Sequence, residues 1–72
     1  MKHLYVMIKG RSDWENIDDW ENMVIFLTKE EAIEASIKYS ITRIEIFGKE
    51  DNMNGYLPTY TYYKNGILFT SF

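Results

Sequence analysis

The chain has 72 residues, a formal net charge of −3 and no cysteine. A chain of this length forms one domain, residues 1–72, with a small core that neither a disulfide nor a thiolate-bound metal can reinforce. The acidic balance disfavours nucleic acid as a partner, because the protein's own field repels a phosphate backbone. The longest apolar run, Met23 to Leu27, is too short for a membrane span, so we expect a cytoplasmic protein.

Two apolar segments in the first part of the chain have the pattern of β-strands. Residues 4–8 alternate between aliphatic side chains and Tyr5 or Met7, which predicts a strand with one strongly apolar face. Residues 23–27 form a continuous apolar run, which is typical of a strand that is covered on both faces. We therefore expect this second strand to lie inside the sheet.

A helix start at Thr28 is the best local signal in the chain. The T-x-x-E spacing from Thr28 to Glu31 lets the hydroxyl and the carboxylate each satisfy a free backbone N–H. Acidic residues also suit the positive end of the helix dipole. The pattern predicts a helix from about Lys29 to Tyr39. The expected buried stripe is Ala32, Ile33, Ser36, Ile37 and Ser40, with Glu30, Glu34 and Lys38 in water.

A third strand and a hairpin follow the helix. Ile44 and Ile46 alternate with Arg43, Glu45 and Phe47, which predicts a strand with a clear inside and outside. After a polar loop at 49–55, the dipeptide at 65–66, Asn-Gly, stands between two β-rich runs. This is a strong signal for a two-residue hairpin turn, because both turn positions need positive φ.

The hairpin register follows from that turn. It pairs Tyr63 with Leu68, Tyr62 with Phe69 and Thr61 with Thr70. One face then carries Tyr60, Tyr62, Ile67 and Phe69, and the other carries Tyr63, Leu68, Phe72 and two threonines. Pro58 is expected at the start or the edge of its strand, because it cannot donate to the ladder.

Together these elements predict an α+β fold, with a mixed four- to five-stranded sheet, one helix on one face and a C-terminal β-hairpin. The order strand, helix, strand with short links predicts a right-handed crossover and a parallel pair. One helix covers one face only, so the opposite face exposes more apolar area than is usual for a monomer. We expect that face to carry Tyr5, Met7, Phe26 and Phe47, and a homo-oligomer to cover it.

Residues suited to catalysis or metal binding are few. His3 is the only histidine, and no motif places it beside a serine and a carboxylate. A zinc site is also disfavoured, because the chain has one histidine and no cysteine. The acidic residues of 13–21 lack the spacing and the central glycine of a calcium loop. The four glycines are dispersed, so no phosphate loop is present. We expect neither an enzyme nor a cofactor.

The segment SDWENIDDWEN, residues 12–22, contains Asp-Trp-Glu-Asn twice. In one interpretation both tryptophans pack over the uncovered sheet face while their carboxylate neighbours stay in water. In the other, at least one tryptophan stays accessible in a ring of acids and anchors a basic partner protein. The candidate binding residues here are Trp14, Asp18, Asp19, Trp20 and Glu21.

Tyr60 and Tyr62 complete the candidate binding residues. Alternating aromatic residues in a terminal hairpin usually pack across the strands. They could also form a stacking surface for a nucleotide-like small ligand. Lys64 and Arg11 are the nearby cations, and a phosphate would need better partners.

The segments FLTKEEAIEASIKY, RIEIF and PTYTYYKNG resemble short proteins encoded by large DNA viruses with AT-rich genomes. The resemblance covers roughly residues 23–68 and brings no catalytic or binding residues with it. It implies a small virus-encoded accessory protein in the host cytoplasm. Such a protein acts by occupying a host protein or by sequestering a host signalling molecule.

Three hypotheses for the function follow. The leading one is a non-enzymatic binding protein that docks on another protein through its acidic Trp loop and its aromatic sheet face. The second is a homo-oligomer that holds a nucleotide-like ligand between subunits, and the third is a structural subunit of an assembly. Exposed tryptophan among acids favours the first, and a pocket of tyrosine with lysine or arginine at a two-fold interface favours the second.

Overall fold

The structure, a computed structural model, describes residues 1–8 and 23–70. The acidic segment 12–22 and Phe72 therefore lie outside the described residues. The described part is α+β, with one helix and five strands, as predicted. In chain order the elements are β1 (Lys2–Ile8), β2 (Met23–Phe26), α1 (Lys29–Lys38), β3 (Ile44–Lys49), β4 (Leu57–Lys64) and β5 (Ile67–Thr70).

The five strands form one sheet in the order β2-β1-β3-β4-β5, and every neighbouring pair is antiparallel. The predicted mixed sheet is therefore wrong. The strands that flank α1, β2 and β3, run in the same direction, but β1 lies between them and they form no parallel pair. β1 suits this central place because Tyr5 to Ile8 are all buried.

The apolar run at 23–27 lies at an edge of the sheet, and its predicted interior position is wrong. Among the described strands β2 pairs only with β1, and Ile25 is 53% exposed. Val24 and Phe26 pack against the core on the helix side. A short apolar run does not distinguish a central strand from an edge strand that a helix covers on one side.

α1 begins at the predicted residue, but the Glu31 carboxylate accepts from the Thr28 hydroxyl and not, as predicted, from a backbone N–H. The hydroxyl of Thr28 accepts a hydrogen bond from the N–H of Glu31 at 3.2 Å and donates one to Glu31 Oε1 at 2.8 Å. The helix ends at Lys38, with Tyr39 as its C-cap. The buried helix residues are Ala32, Ala35 and Ser36, while Ile37 and Ser40 are exposed and Ile33 packs at the margin. The predicted stripe was therefore too wide, and it missed Ala35.

The strand registers define two faces of the sheet, which we call the helix face and the second face. Tyr5 and Met7 lie on the helix face with Phe26, and their predicted position on the opposite face is wrong. Ala32 and Ala35 are the helix residues packed against them, and their small side chains leave room for these larger ones. Phe47 lies opposite Leu4 on the second face, as predicted.

The β4–β5 hairpin has the predicted register and turn. Tyr63 lies opposite Leu68 and Tyr62 opposite Phe69, and the turn residues have φ of 51° and 79°. The helix holds this turn from the side: the N–H at position 66 donates to Ser36 Oγ at 2.9 Å, and the N–H at position 65 donates to Ser36 O at 3.2 Å. These bonds fix α1 against the hairpin end of the sheet.

β4 contains an irregularity that the sequence did not indicate. β3 pairs Ile46 with Thr61 but Phe47 with Pro58, so two extra residues stand in β4 between these pairs. One of them, Tyr60, has φ of 61° and is 59% exposed. Tyr60 therefore departs from the regular alternation of side chains, on which its predicted position on the same face as Tyr62 was based. Pro58 stands second in β4, close to the predicted start.

Candidate functional site

The second face carries a charged and aromatic group of side chains toward the free edge formed by β5. The registers align one row of residues across all five strands. In sheet order this row is Ile25, Val6, Glu45, Tyr62 and Phe69. Arg43 reaches this row from β3's N-terminal end, next to Ile44. We call Arg43, Glu45, Tyr62 and Phe69 the edge cluster.

Tyr62 is the centre of the edge cluster. Its ring stacks on the ring of Phe69, with centroids 5.4 Å apart and planes inclined by 17°. The guanidinium carbon of Arg43 lies 5.1 Å from the Tyr62 ring centroid, within the range of a cation–π contact. Tyr62 is therefore held by two neighbours while it remains only half-buried.

Glu45 and Arg43 form an ion pair beneath this surface. Arg43 Nε is 2.8 Å from Glu45 Oε1, and the Glu45 side chain is only 14% exposed. Within the described ranges the Arg43 Nε–H makes no directed hydrogen bond, so the contact is mainly electrostatic. Burial raises the pKa of the Glu45 carboxyl, and the Arg43 guanidinium offsets only part of that increase. The pair therefore retains a desolvation cost.

β5 offers a free strand edge beside the edge cluster. It has no outer neighbour among the described strands, and its sequence Ile-Leu-Phe-Thr contains no charge and no proline. Edge strands are usually protected by such residues or by a bulge. Ile67, Leu68 and Phe69 are exposed by 57%, 56% and 40%. The edge is thus open both to backbone pairing and to apolar contact.

The helix face carries a groove of about 530 Å³ near the N-terminus of α1. We call it the tyrosine groove, because Tyr5 and Tyr63 line it together with His3, Lys29, Thr59 and Thr61. A second groove, of about 450 Å³, lies between α1 and β2, and Met7, Phe26 and Glu34 are among its lining residues. This second groove extends along the helix from Glu31 to Tyr39, whereas only Lys29 of α1 lines the tyrosine groove.

The structure describes two of the predicted binding residues, Tyr60 and Tyr62, and it does not bring them into one site. Tyr62 lies in the edge cluster, whereas Tyr60 lies in the irregular part of β4. The others, Trp14, Asp18, Asp19, Trp20 and Glu21, lie outside the described residues.

Sequence reasoning missed Arg43 as a cation that contacts a hairpin tyrosine. It named Lys64 and Arg11 instead. The signal that could have found it is that Arg43 and Glu45 share one side of the third predicted strand. Using that signal also requires the pairing of β3 with β4, which places Glu45 opposite Tyr62.

Comparison of the chain with protein-family models, with curated proteins and with solved structures gives no match. Within the described ranges, no three His, Asp or Glu side chains are grouped to hold a metal ion. No described helix has the length and apolarity to cross a membrane.

Proposed function

We propose that this protein is a non-enzymatic binding protein that docks on another protein through the edge cluster and the free edge of β5. The observation that carries the proposal is the position of Phe69. This residue stands on β5, whose outer edge has no neighbour among the described strands, and it also stacks on Tyr62, whose ring Arg43 contacts. Tyrosine and arginine are among the residue types that contribute most to protein–protein interfaces.

The partner that fits is a different protein that adds an extended segment to β5. The backbone of such a segment pairs with the free edge, and its side chains alternate between the two faces of the sheet. They meet Phe69 on the second face and Leu68 on the helix face, and both are apolar and exposed. Apolar side chains at alternate positions of the partner segment suit both contacts.

Charge does not oppose this docking. All eleven acidic residues lie between positions 13 and 51, and Lys64 is the only charged residue from position 52 onward. The hairpin therefore presents a nearly neutral surface in an acidic protein. The edge cluster is also ordered before docking, because Arg43 and Phe69 hold Tyr62 in place. Little side-chain entropy is then lost on binding.

The acidic Trp segment extends the proposal toward a basic surface on the same partner. On this view Trp20→Ala costs about 2 kcal/mol of affinity. Changing Asp18 and Asp19 to Asn slows association but leaves the free energy of unfolding within about 0.5 kcal/mol. On the viral resemblance, the partner is a host protein in the host cytoplasm.

The free edge can be tested with peptides. In a two-residue hairpin the pair that closes the turn is hydrogen-bonded and the next pair is not, so the N–H of Leu68 points away from β4. We expect peptides selected from a random library to carry apolar residues at alternate positions. Their binding should slow hydrogen exchange at the Leu68 amide, measured by NMR.

Two variants in β5 and one control at the opposite edge test whether peptides bind at β5. Leu68→Pro removes the outward donor and should lower peptide affinity at least tenfold, and Phe69→Lys should do the same. Ile25→Lys alters an equally exposed residue at the opposite edge and should bind as the parent does. Selected peptides that protect no β5 amide would overturn the proposal. A dimer that Leu68→Pro converts to monomer would also overturn it, because a second copy would then occupy the edge.

A further inference from the structure

The tyrosine groove contains polar groups that the fold leaves unused. Tyr5 and Tyr63 are only 8% and 7% exposed, and both line the groove. Neither phenol hydroxyl forms a hydrogen bond to a residue within the described ranges. Neither hydroxyl is among the buried side-chain atoms that lack a partner, so both reach the open volume of the groove. These two hydroxyls are therefore available to a molecule there.

The nearby threonines behave differently. Thr59 Oγ1 donates to the carbonyl of Ile46 at 2.8 Å, and it lies 2.6 Å from Thr61 Oγ1. Because the Thr59 proton is directed at Ile46, Thr61 is the donor in the second bond. The proton of each threonine hydroxyl is therefore already used. The unpaired tyrosine hydroxyls are a particular feature of the groove and not a general property of its wall.

The rings of the groove form a continuous aromatic floor. The centroids of Tyr5 and Tyr63 are 6.2 Å apart with planes inclined by 36°, and His3 continues the series at 6.3 Å from Tyr5. Tilted rings at these distances pack against each other, and a planar ligand can contact only the small part of Tyr5 and Tyr63 that stays exposed. The volume of about 530 Å³ lies within the usual size of small-molecule sites.

The charge at the rim suits an anionic group. Lys29 lines the groove and is also the first residue of α1, where the helix dipole is positive. Burial, the neighbouring Tyr63 and Glu30 together raise the pKa of Tyr5, in that order of importance. The Tyr5 phenol therefore keeps its proton at neutral pH. The groove thus combines two hydroxyl donors with one cation, and Glu30 is the nearby carboxylate that acts against an anionic group.

We infer that the tyrosine groove binds a planar heteroaromatic ring that carries an anionic group, the chemistry of a mononucleotide. The ring lies against Tyr5 and Tyr63, and the anionic group accepts hydrogen bonds from their hydroxyls and pairs with Lys29. All of these residues belong to one chain, so the site needs no second subunit. It lies on the opposite side of the sheet from Phe69, and it shares Leu68 with the docking edge of β5.

Calorimetric titration with AMP, GMP, CMP and UMP tests this inference. At least one of them should bind at least tenfold more tightly than inorganic phosphate and than its own nucleoside. Removing either the base or the phosphate should weaken binding, because the groove contacts both the ring and the anion. Equal affinity for nucleotide and free phosphate, or binding of none of the four, would overturn the inference.

Conservative variants locate the site. Tyr63→Phe keeps the ring and removes one donor, and Lys29→Gln removes the cation, so each should weaken binding about tenfold. Lys38→Gln, at the other end of the same helix, is the control and should bind as the parent does. Unchanged affinity in both groove variants would place any nucleotide elsewhere on the protein. Phe69→Lys should block the partner segment and leave nucleotide affinity unchanged, which separates this inference from the docking proposal.

Discussion

The two faces of the sheet differ in how deeply their side chains are buried and in whether those side chains are charged. On the helix face, Ile44 is 0% exposed and Met7 is 1% exposed, and Ala32 of α1 packs against them. On the second face, the row of Val6, Glu45 and Phe69 changes from a residue that is 7% exposed, through a carboxylate side chain that is 14% exposed, to a ring that is 40% exposed. The helix face is built mainly from apolar contact, whereas the second face retains charge close to its surface.

This difference indicates where stability and binding are located. An apolar core lowers the free energy of folding through the area it removes from water. A partly buried ion pair such as Arg43 with Glu45 contributes little net stability, because its desolvation cost opposes its attraction. Toward β5, the second face therefore keeps residues that contribute little to fold stability. Substitutions on the two faces should have correspondingly different effects.

The largest difference should appear on truncation. Ile44→Ala removes a fully buried side chain from the helix face and should lower the free energy of unfolding by about 2 to 5 kcal/mol. Phe69→Ala, at the exposed end of the second face, should lower it by less than about 1 kcal/mol, despite removing a larger side chain. Urea denaturation followed by circular dichroism measures both. Equal losses would mean that the second face is also part of the core.

Substitution in the hairpin turn should cause the second-largest loss of stability. Gly66→Val should destabilise by more than about 1 kcal/mol, because a β-branched residue resists positive φ. A Cβ at this position would also lie 3.1 Å from Ile37 Cγ1. Gly55→Val is the matched control, since a Cβ there meets no atom within 4 Å. If both variants melt at the same temperature, neither the positive φ at position 66 nor the contact with Ile37 matters for stability.

The helix cap should have a smaller effect. Thr28→Ala removes the hydroxyl that accepts from the Glu31 N–H, and it should lower the free energy of unfolding by about 1 kcal/mol. Thr28→Ser keeps an acceptor and should remain close to the parent. Thermal unfolding of the three proteins side by side is sufficient. A Thr28→Ala variant as stable as the parent would show that packing alone holds the helix on its face.

The smallest effect concerns pH and Glu45. Because burial raises its pKa in the folded state, the folded protein binds the proton more tightly than the unfolded chain. The stabilising contribution is therefore complete below the unfolded pKa of about 4.5 and is lost as the pH rises through the folded value. Compared with Glu45→Gln, the parent should be relatively more stable at pH 4 than at pH 7. A difference that does not change with pH would contradict this.

The features that the sequence predicted correctly are local. The helix cap is contained in four residues from Thr28 to Glu31, and the hairpin turn is contained in Asn65 and Gly66. Each signal works because the interacting groups are close along the chain. The bulge in β4 gave no such signal, because the residue with positive φ is Tyr60 and not a glycine.

The errors concern pairing over long distances. Alternation in β1 showed that the strand has two faces, but it did not show which face meets the helix. The order of strands was equally hidden, because nothing near Met23 indicates that β1 will separate β2 from β3. The same limit applies to the edge cluster: Tyr62 was found from its own hairpin, whereas Arg43 required the pairing of β3 with β4.

The central place of β1 also has a kinetic consequence. The β4–β5 hairpin joins neighbouring segments, and hairpins of this type form in about 1 to 10 µs. β1 must instead find β3 across the whole of β2 and α1, as the pairing of Lys2 with Lys49 shows. Proteins dominated by such non-local pairings fold in roughly milliseconds to seconds. β2 pairs only with β1 within the described sheet. The two edge strands, β2 and β5, should therefore join the sheet at very different times during folding.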